Sequence, residues 1–257
     1  MKAIILAAGY ATRLYPLTRD WPKALLKVGG KTILDRLTEQ ILVIDAIDEV
    51  HVVTNHKFAN TFLLWTKAAA AKWPLVKFLV WDDGTLSNDT RLGALGDIQY
   101  VIDQAGLDDD VLITASDTFC SFDWRAFYAD FQRHGRDLLL AHEEASYEDC
   151  KRYAVALLDE AGRVVDMEEK PEHPKSRTAV YAAYIYRRAT LPLLKSYLDE
   201  GNSPDAPGHF PSWLYKTRDV RAFVFQGECV DIGTLDTYNE VCARYDTGCT
   251  PGRIRFP

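Results

Sequence analysis

Arg13 and Lys23 follow a run of small residues, Leu6-Ala7-Ala8-Gly9-Tyr10-Ala11-Thr12, and that run follows the apolar Ala3-Ile4-Ile5. The apolar stretch reads as a buried first strand. A strand that ends in small residues lets its backbone come close to a ligand, and its N–H groups then point at phosphate oxygens. Arg13 and Lys23 add the positive charge that such a cradle needs for a triphosphate. Two better-known phosphate loops are excluded, because the chain has no G-x-x-x-x-G-K-[ST] here and no G-x-G-x-x-G opening a helix. Far along the chain, Asp117 ends the apolar run Val111-Leu112-Ile113-Thr114-Ala115, and Asp231 stands in Val230-Asp231-Ile232-Gly233-Thr234. Each aspartate alone reads as a helix cap or a strand-end turn. Where phosphates crowd together, a hard divalent cation such as magnesium is held by one or two carboxylates plus substrate phosphates, the role such carboxylates could serve.

The elements that must position these groups alternate through the first half. Lys31 to Ile44 carries Ile33, Leu34, Leu37, Ile41 and Leu42 at helical spacing, an amphipathic helix for one face of a sheet. Strands are expected at 49–54, 76–81 and 110–115, with helices at 58–72 and 91–104 between them. This order implies a largely parallel sheet with helices on both faces. Ligands of such sheets bind beyond the carboxyl ends of the strands, where both the Gly9 turn and Asp117 fall. The second half changes character. Strands at 153–158 and 164–169 flank the turn Asp159-Glu160-Ala161-Gly162 as a hairpin. Further strands are expected at 181–187 and 220–225, and helices at 191–198, 210–216 and 234–244. No linker or repeat separates the halves, so the pattern reads as one domain over 1–246 and a tail over 247–257.

Composition narrows the function. The 257 residues have 47% hydrophobic and 12% aromatic content, enough for a substantial core. A net charge of −7 argues against a nucleic-acid partner, which needs a basic face. No apolar stretch approaches a membrane span, and the N-terminus lacks the zones of a signal peptide. The expected location is cytoplasmic. Five cysteines, odd in number and without a C-x-x-C pair, indicate neither a zinc site nor a disulfide scaffold.

The run from Leu6 through Leu14, then Pro16-Leu17-Thr18 and Pro22-Lys23, resembles the signature L-A-A-G-x-G-T-R-L-x-P-L-T-x(3)-P-K-x-L-L of the sugar-1-phosphate nucleotidylyltransferases. The match continues through nearly all of residues 1 to 245. The resemblance implies a three-layer α/β nucleotidyltransferase domain, Rossmann-like in its first half, with a mixed, mainly parallel central sheet. With about a dozen residues after the last helix, no left-handed β-helix is expected to follow. It implies transfer of a nucleoside monophosphate from an NTP to a sugar-1-phosphate with release of pyrophosphate, and Mg²⁺ as cofactor. Leu6, Ala8, Gly9, Tyr10, Ala11 and Thr12 would then hold the nucleotide, with Gly93 at the base. Arg13 and Lys23 would act on the phosphates during catalysis. Asp117 matches the Asp of the family's G-D-N segment and Asp231 that of its D-I-G-T segment, the metal positions. Glu168-Glu169-Lys170-Pro171 is similar to an E-E-K-P segment in which the lysine meets the sugar phosphate and the preceding glutamate a sugar hydroxyl. The segment Asn202 to Gly208 resembles a stretch near the sugar end. NTP and sugar-1-phosphate are the implied partners, with no nucleic acid and no membrane, and a homo-oligomer is compatible with the resemblance.

The departures from the pattern share a theme. Family glycines are replaced at Ala11, Ser116, Ala154 and Ala182, the usual Asn after the metal Asp is Thr118, and the Trp before D-I-G-T is missing. Charged positions are kept while pocket-lining ones change. Ala154 and Ala182 would narrow a sugar pocket, so a modified or differently shaped sugar phosphate is expected over plain glucose-1-phosphate. Two other readings stand beside this one: a transferase for a non-sugar phosphate, and a non-catalytic binding relative.

Overall fold

A computed structural model describes residues 1–246, with Thr118, Cys120 and Asp246 as backbone only. The expected tail over 247–257 lies outside the described residues. In chain order the strands are β1 (Lys2–Leu6), β2 (Lys27–Val28), β3 (Lys31–Thr32), β4 (Glu49–Thr54), β5 (Lys77–Asp82), β6 (Val111–Ala115) and β7 (Thr118–Cys120). They continue with β8 (Asp137–Glu143), β9 (Ala154–Leu158), β10 (Val164–Glu169), β11 (Thr178–Tyr186), β12 (Val220–Phe225) and β13 (Cys229–Asp231). The helices are α1 (Ile33–Ile41), α2 (Ala59–Lys72), α3 (Ala94–Ala105), α4 (Trp124–His134), α5 (Tyr147–Cys150), α6 (Leu191–Asp199), α7 (His209–Leu214) and α8 (Leu235–Asp246). Nine strands, β1, β4–β6 and β8–β12, make one mixed sheet.

The chain divides into two compact units: residues 1–4, 92–114 and 126–226 form the first, and 5–91, 115–125 and 227–246 the second. In the first unit β11 runs antiparallel to β6, β8 and β9, while β12 runs parallel to β8. The hairpin over 154–169 forms as expected, with Gly162 at φ +78 closing its turn by donating its N–H to the carbonyl of Asp159. Strand β8, which the sequence pattern did not assign, is among the most buried segments: Leu138, Leu139, Leu140 and Ala141 are each at most 1% exposed. A short apolar run buried on both faces has no alternation, and periodicity cannot separate it from a helix fragment.

In the second unit β4 and β5 pair in parallel. Helix α1 begins at Ile33 rather than Lys31, because Thr32 forms a capping box with Asp35: the Thr32 hydroxyl accepts from the Asp35 N–H at 3.0 Å. Likewise α3 begins at Ala94, held back by Gly93 at φ +80. A core joins distant parts of this unit: Leu14, Leu26, Val28 and Ile33 pack with Phe119, Ile232 and Val241. The short antiparallel ribbon β7–β13 pairs Phe119 with Val230 and Thr118 with Asp231. Cys229 lies in this ribbon and is disulfide-bonded, a single bridge rather than a scaffold, while Cys150 and Cys242 are free. No helix among the described residues is long and apolar enough to cross a membrane.

Candidate active site

The glycine loop of the second unit is tied down at each end. Leu6 accepts a hydrogen bond from the Ser116 N–H at 3.1 Å, and Ala7 donates to the carbonyl of Val53 at 2.9 Å. Buried Asn55 donates its amide to the Ala8 carbonyl at 2.9 Å, and the Tyr10 hydroxyl donates to the carbonyl of Thr85 at 3.0 Å. Gly9 faces open space, with no atom within 4 Å of where a Cβ would stand, which leaves the backbone approachable. Ala11 takes the left-handed conformation (φ 48, ψ 43) that the family's glycine would take freely. Its carbonyl accepts from the Thr18 hydroxyl at 2.7 Å, so the strained turn is fastened from outside. Thr12–Leu14 then forms a 3-10 turn that presents Arg13, and Lys23–Leu25 forms another that presents Lys23.

These turns bring the predicted charges together. Lys23 is hydrogen-bonded and ion-paired to Asp117, and its Nζ lies 4.0 Å from Asp231 Oδ1. Asp117 and Asp231 sit side by side because the Ile232 N–H donates to the Asp117 carbonyl at 3.2 Å. A Cβ on Gly233 would stand at ordinary contact distance, 3.5 Å, from both Arg13 Nη2 and Asp231 Oδ2, which places the guanidinium and the carboxylate around this glycine. Burial, then the charge of Asp117, pushes the Asp231 carboxyl up to about 6, with Lys23 and Arg13 opposing. Crowding by its neighbours produces this although 45% of the side-chain surface is open. Two carboxylates that repel each other and share an ammonium suit a divalent cation with sparse protein ligation. Among the described residues no group of three or more His, Cys, Asp or Glu could hold a metal, so further ligands would have to come from substrate phosphates.

The remaining predicted residues belong to the first unit. Glu169 is nearly buried, and burial raises its pKa against the lowering effect of Lys170 and His209. Lys170 is exposed, 3.8 Å from Glu169, and holds a left-handed backbone (φ 47) with its N–H on the Tyr153 carbonyl. Gly208 presses on Glu169 so closely that a Cβ would overlap its carboxylate and stand 2.9 Å from the Ala154 methyl. Ala154 is thus buried beside Glu169, whereas Ala182 is half-buried at the bulge of β11 between Tyr181 and Tyr184. Gly93 lies against the backbone of Pro204 and Asp205, where a Cβ would come within 2.8 Å of the Pro204 carbonyl carbon. Asn55 and Thr18 escaped the sequence reading as loop supports. The one signal for Asn55 was a polar residue directly after an apolar strand.

The sequence profile described as nucleotidyl transferase matches residues 2–248. The chain belongs to the nucleotidyl transferase family. Its curated relatives include a Sulfolobus acidocaldarius protein named for mannose-1-phosphate guanyltransferase, 27% identical over 94% of this chain and 62% of its own. A glucose-1-phosphate adenylyltransferase of Desulfitobacterium hafniense is 26% identical over 92% of this chain and 62% of its own. The chain therefore spans about three fifths of the length of those relatives. Among solved structures, a UDP-glucose pyrophosphorylase complexed with UDP-glucose shares the fold, with TM-score 0.80, 20% identity, and coverage of 96% of this chain and 99% of that one.

Proposed function

We propose that this nucleotidyl transferase moves a nucleoside monophosphate from an NTP to a sugar-1-phosphate, forming an NDP-sugar and pyrophosphate. The observation that carries the reading is the cluster of Asp117, Asp231, Lys23 and Arg13 beside an open glycine turn. The sugar phosphate oxygen is already anionic at neutral pH, so the site needs no general base and works by positioning and charge neutralisation. Arg13 opposes charge on the departing pyrophosphate, and Lys23 binds the phosphates, exchanging its carboxylate partners for them. Asp117 and Asp231 would hold Mg²⁺, which supplies charge neutralisation at the phosphates when bound. Lys170 receives the phosphate of the nucleophile, and Glu169 accepts a hydrogen bond from a sugar hydroxyl.

The relatives bear names with different bases and sugars, so the reading extends to the class of reaction and not to one nucleotide. Ala154 favours a sugar other than glucose, because its methyl stands beside Glu169 where a glycine would leave room. The test is pyrophosphate release from the four common NTPs and dTTP against a panel of sugar-1-phosphates and alcohol phosphates. Turnover of at least one sugar-1-phosphate is expected, requiring Mg²⁺ and falling at least about a hundredfold on Asp117→Ala or Asp231→Ala. Full turnover by the double variant in EDTA, or turnover of alcohol phosphates alone, would reject the reading.

A further inference from the structure

Outside that site, the first unit carries a second concentration of positive charge. The amino ends of β8 and β12 and the carboxyl end of β11 border a cavity of about 420 Å³, within the usual range for small-ligand sites. Its lining includes Arg136, Arg187 and Arg218 with Thr217 and Asp219. Two of the guanidinium groups converge on one acceptor: Arg187 donates to the Gly135 carbonyl at 2.8 Å and Arg136 to the same oxygen at 3.2 Å. Like charges are thereby held within about 6 Å of each other, a repulsion that an anion between them would relieve.

The carboxylates nearby do not supply that anion. Asp219 neutralises Arg136, with Nε to Oδ2 at 3.0 Å. Arg187 has only a 3.5 Å approach to Asp110, and Arg218 makes no side-chain hydrogen bond or ion pair among the described residues. Asp137 also lines the cavity, but it is 4% exposed and its two oxygens accept from the Arg187 N–H and the Thr190 hydroxyl, each at 2.7 Å. Three arginines thus line the cavity with Asp219 as the one accessible carboxylate of that lining, while Asp110, paired with Arg187, stands outside it, in a chain whose net charge is −7. Guanidinium forks match the geometry of phosphate oxygens, and Thr217 adds a hydroxyl. We propose that this cavity binds a phosphate-bearing small molecule.

The cavity is separate from the sugar-phosphate residues. Strand β11 pairs with Ala154 at Val180 and reaches the cavity only after Tyr186, so the two places lie at opposite ends of that strand. The proposal therefore stands independently of the reading of the active site.

Amide NMR spectra of the full chain, titrated with inorganic phosphate and with sodium chloride at matched ionic strength, test it. Saturable shifts at Gly135, Thr217 and Arg218 with phosphate alone are expected, followed separately from those of the glycine loop and Lys170. The Arg136→Gln, Arg218→Gln double variant should weaken this binding at least about tenfold with the rest of the spectrum unchanged. Arg218→Lys, which keeps the charge but loses the fork, should fall between. Equal shifts from chloride, unchanged affinity in the double variant, or silence at these three amides would overturn the proposal.

Discussion

Asn55 donates its side-chain amide to the carbonyl of Ala8 across 2.9 Å, joining the residue after β4 to the middle of the glycine loop. Both partners are buried, so the bond gives the Ala8 carbonyl a partner inside the protein. Asn55→Ala should cost about 1–3 kcal/mol, the usual result of orphaning a buried acceptor. It should also raise the KM for NTP more than that for the sugar phosphate. Urea unfolding beside initial-rate kinetics checks both, and unchanged stability would show that the loop holds itself.

Ala11 carries a methyl in a left-handed turn and packs that methyl against the core around Leu14 and Ile232. For Ala11→Gly the relief of backbone strain, about 1 kcal/mol, nearly offsets the lost burial of about one methyl group. Its melting temperature should stay close to the parent value. Ala11→Val, branched at Cβ, should be destabilised by more than about 2 kcal/mol and lose nucleotide binding. Calorimetry on both variants decides whether the turn keeps its left-handed form in solution.

Arg13 and Lys170 should separate kinetically. Arg13→Ala should lower kcat more than it raises the KM for NTP, because the charge it opposes grows toward the transition state. Lys170→Ala should chiefly raise the KM for the sugar phosphate. Steady-state kinetics with each substrate varied would show an error in the assignment if Lys170→Ala weakened only NTP binding.

Burial raises the Asp137 carboxyl above its ordinary value of 3.8, against the lowering effect of its hydrogen bonds from Arg187 and Thr190. The folded state then holds its proton more tightly than the unfolded chain does. Stability should decline as pH rises from about 4 through the raised value, and the full cost should be present above it. Asp137→Asn should flatten that decline. Urea midpoints measured from about pH 4 to 7 read the slope directly, and an identical slope in the variant would remove Asp137 as its source.

The sequence made some of this legible and hid the rest for physical reasons. The Gly9 turn with Arg13 and Lys23 is contiguous, and a contiguous motif can be read without knowing the fold. Asp117 and Asp231 stood out because their segments resemble the family's G-D-N and D-I-G-T, yet their adjacency depends on the β7–β13 ribbon, which no local pattern announces. Strand β8 and helix α4 were passed over. The former is apolar without alternation, and the latter mixes Trp124, Phe127 and Phe131 with charges over a short span. Arg136, Arg187 and Arg218 stand far apart in the chain and read singly as solvated, so only the converging turns reveal them as a group.

The packing of Ile232 and Val241 against Leu14, Leu26, Val28 and Ile33 carries a consequence for biosynthesis. A ribosome releases the chain from its first residue onward, so the earliest segments of this unit must wait, with an apolar surface uncovered, for the last ones to emerge. The carboxylate pair is completed at the same late moment, when Asp231 comes into register beside Asp117. Nascent chains halted near residue 226 should therefore be caught by chaperones, whereas chains halted well beyond residue 241 should not.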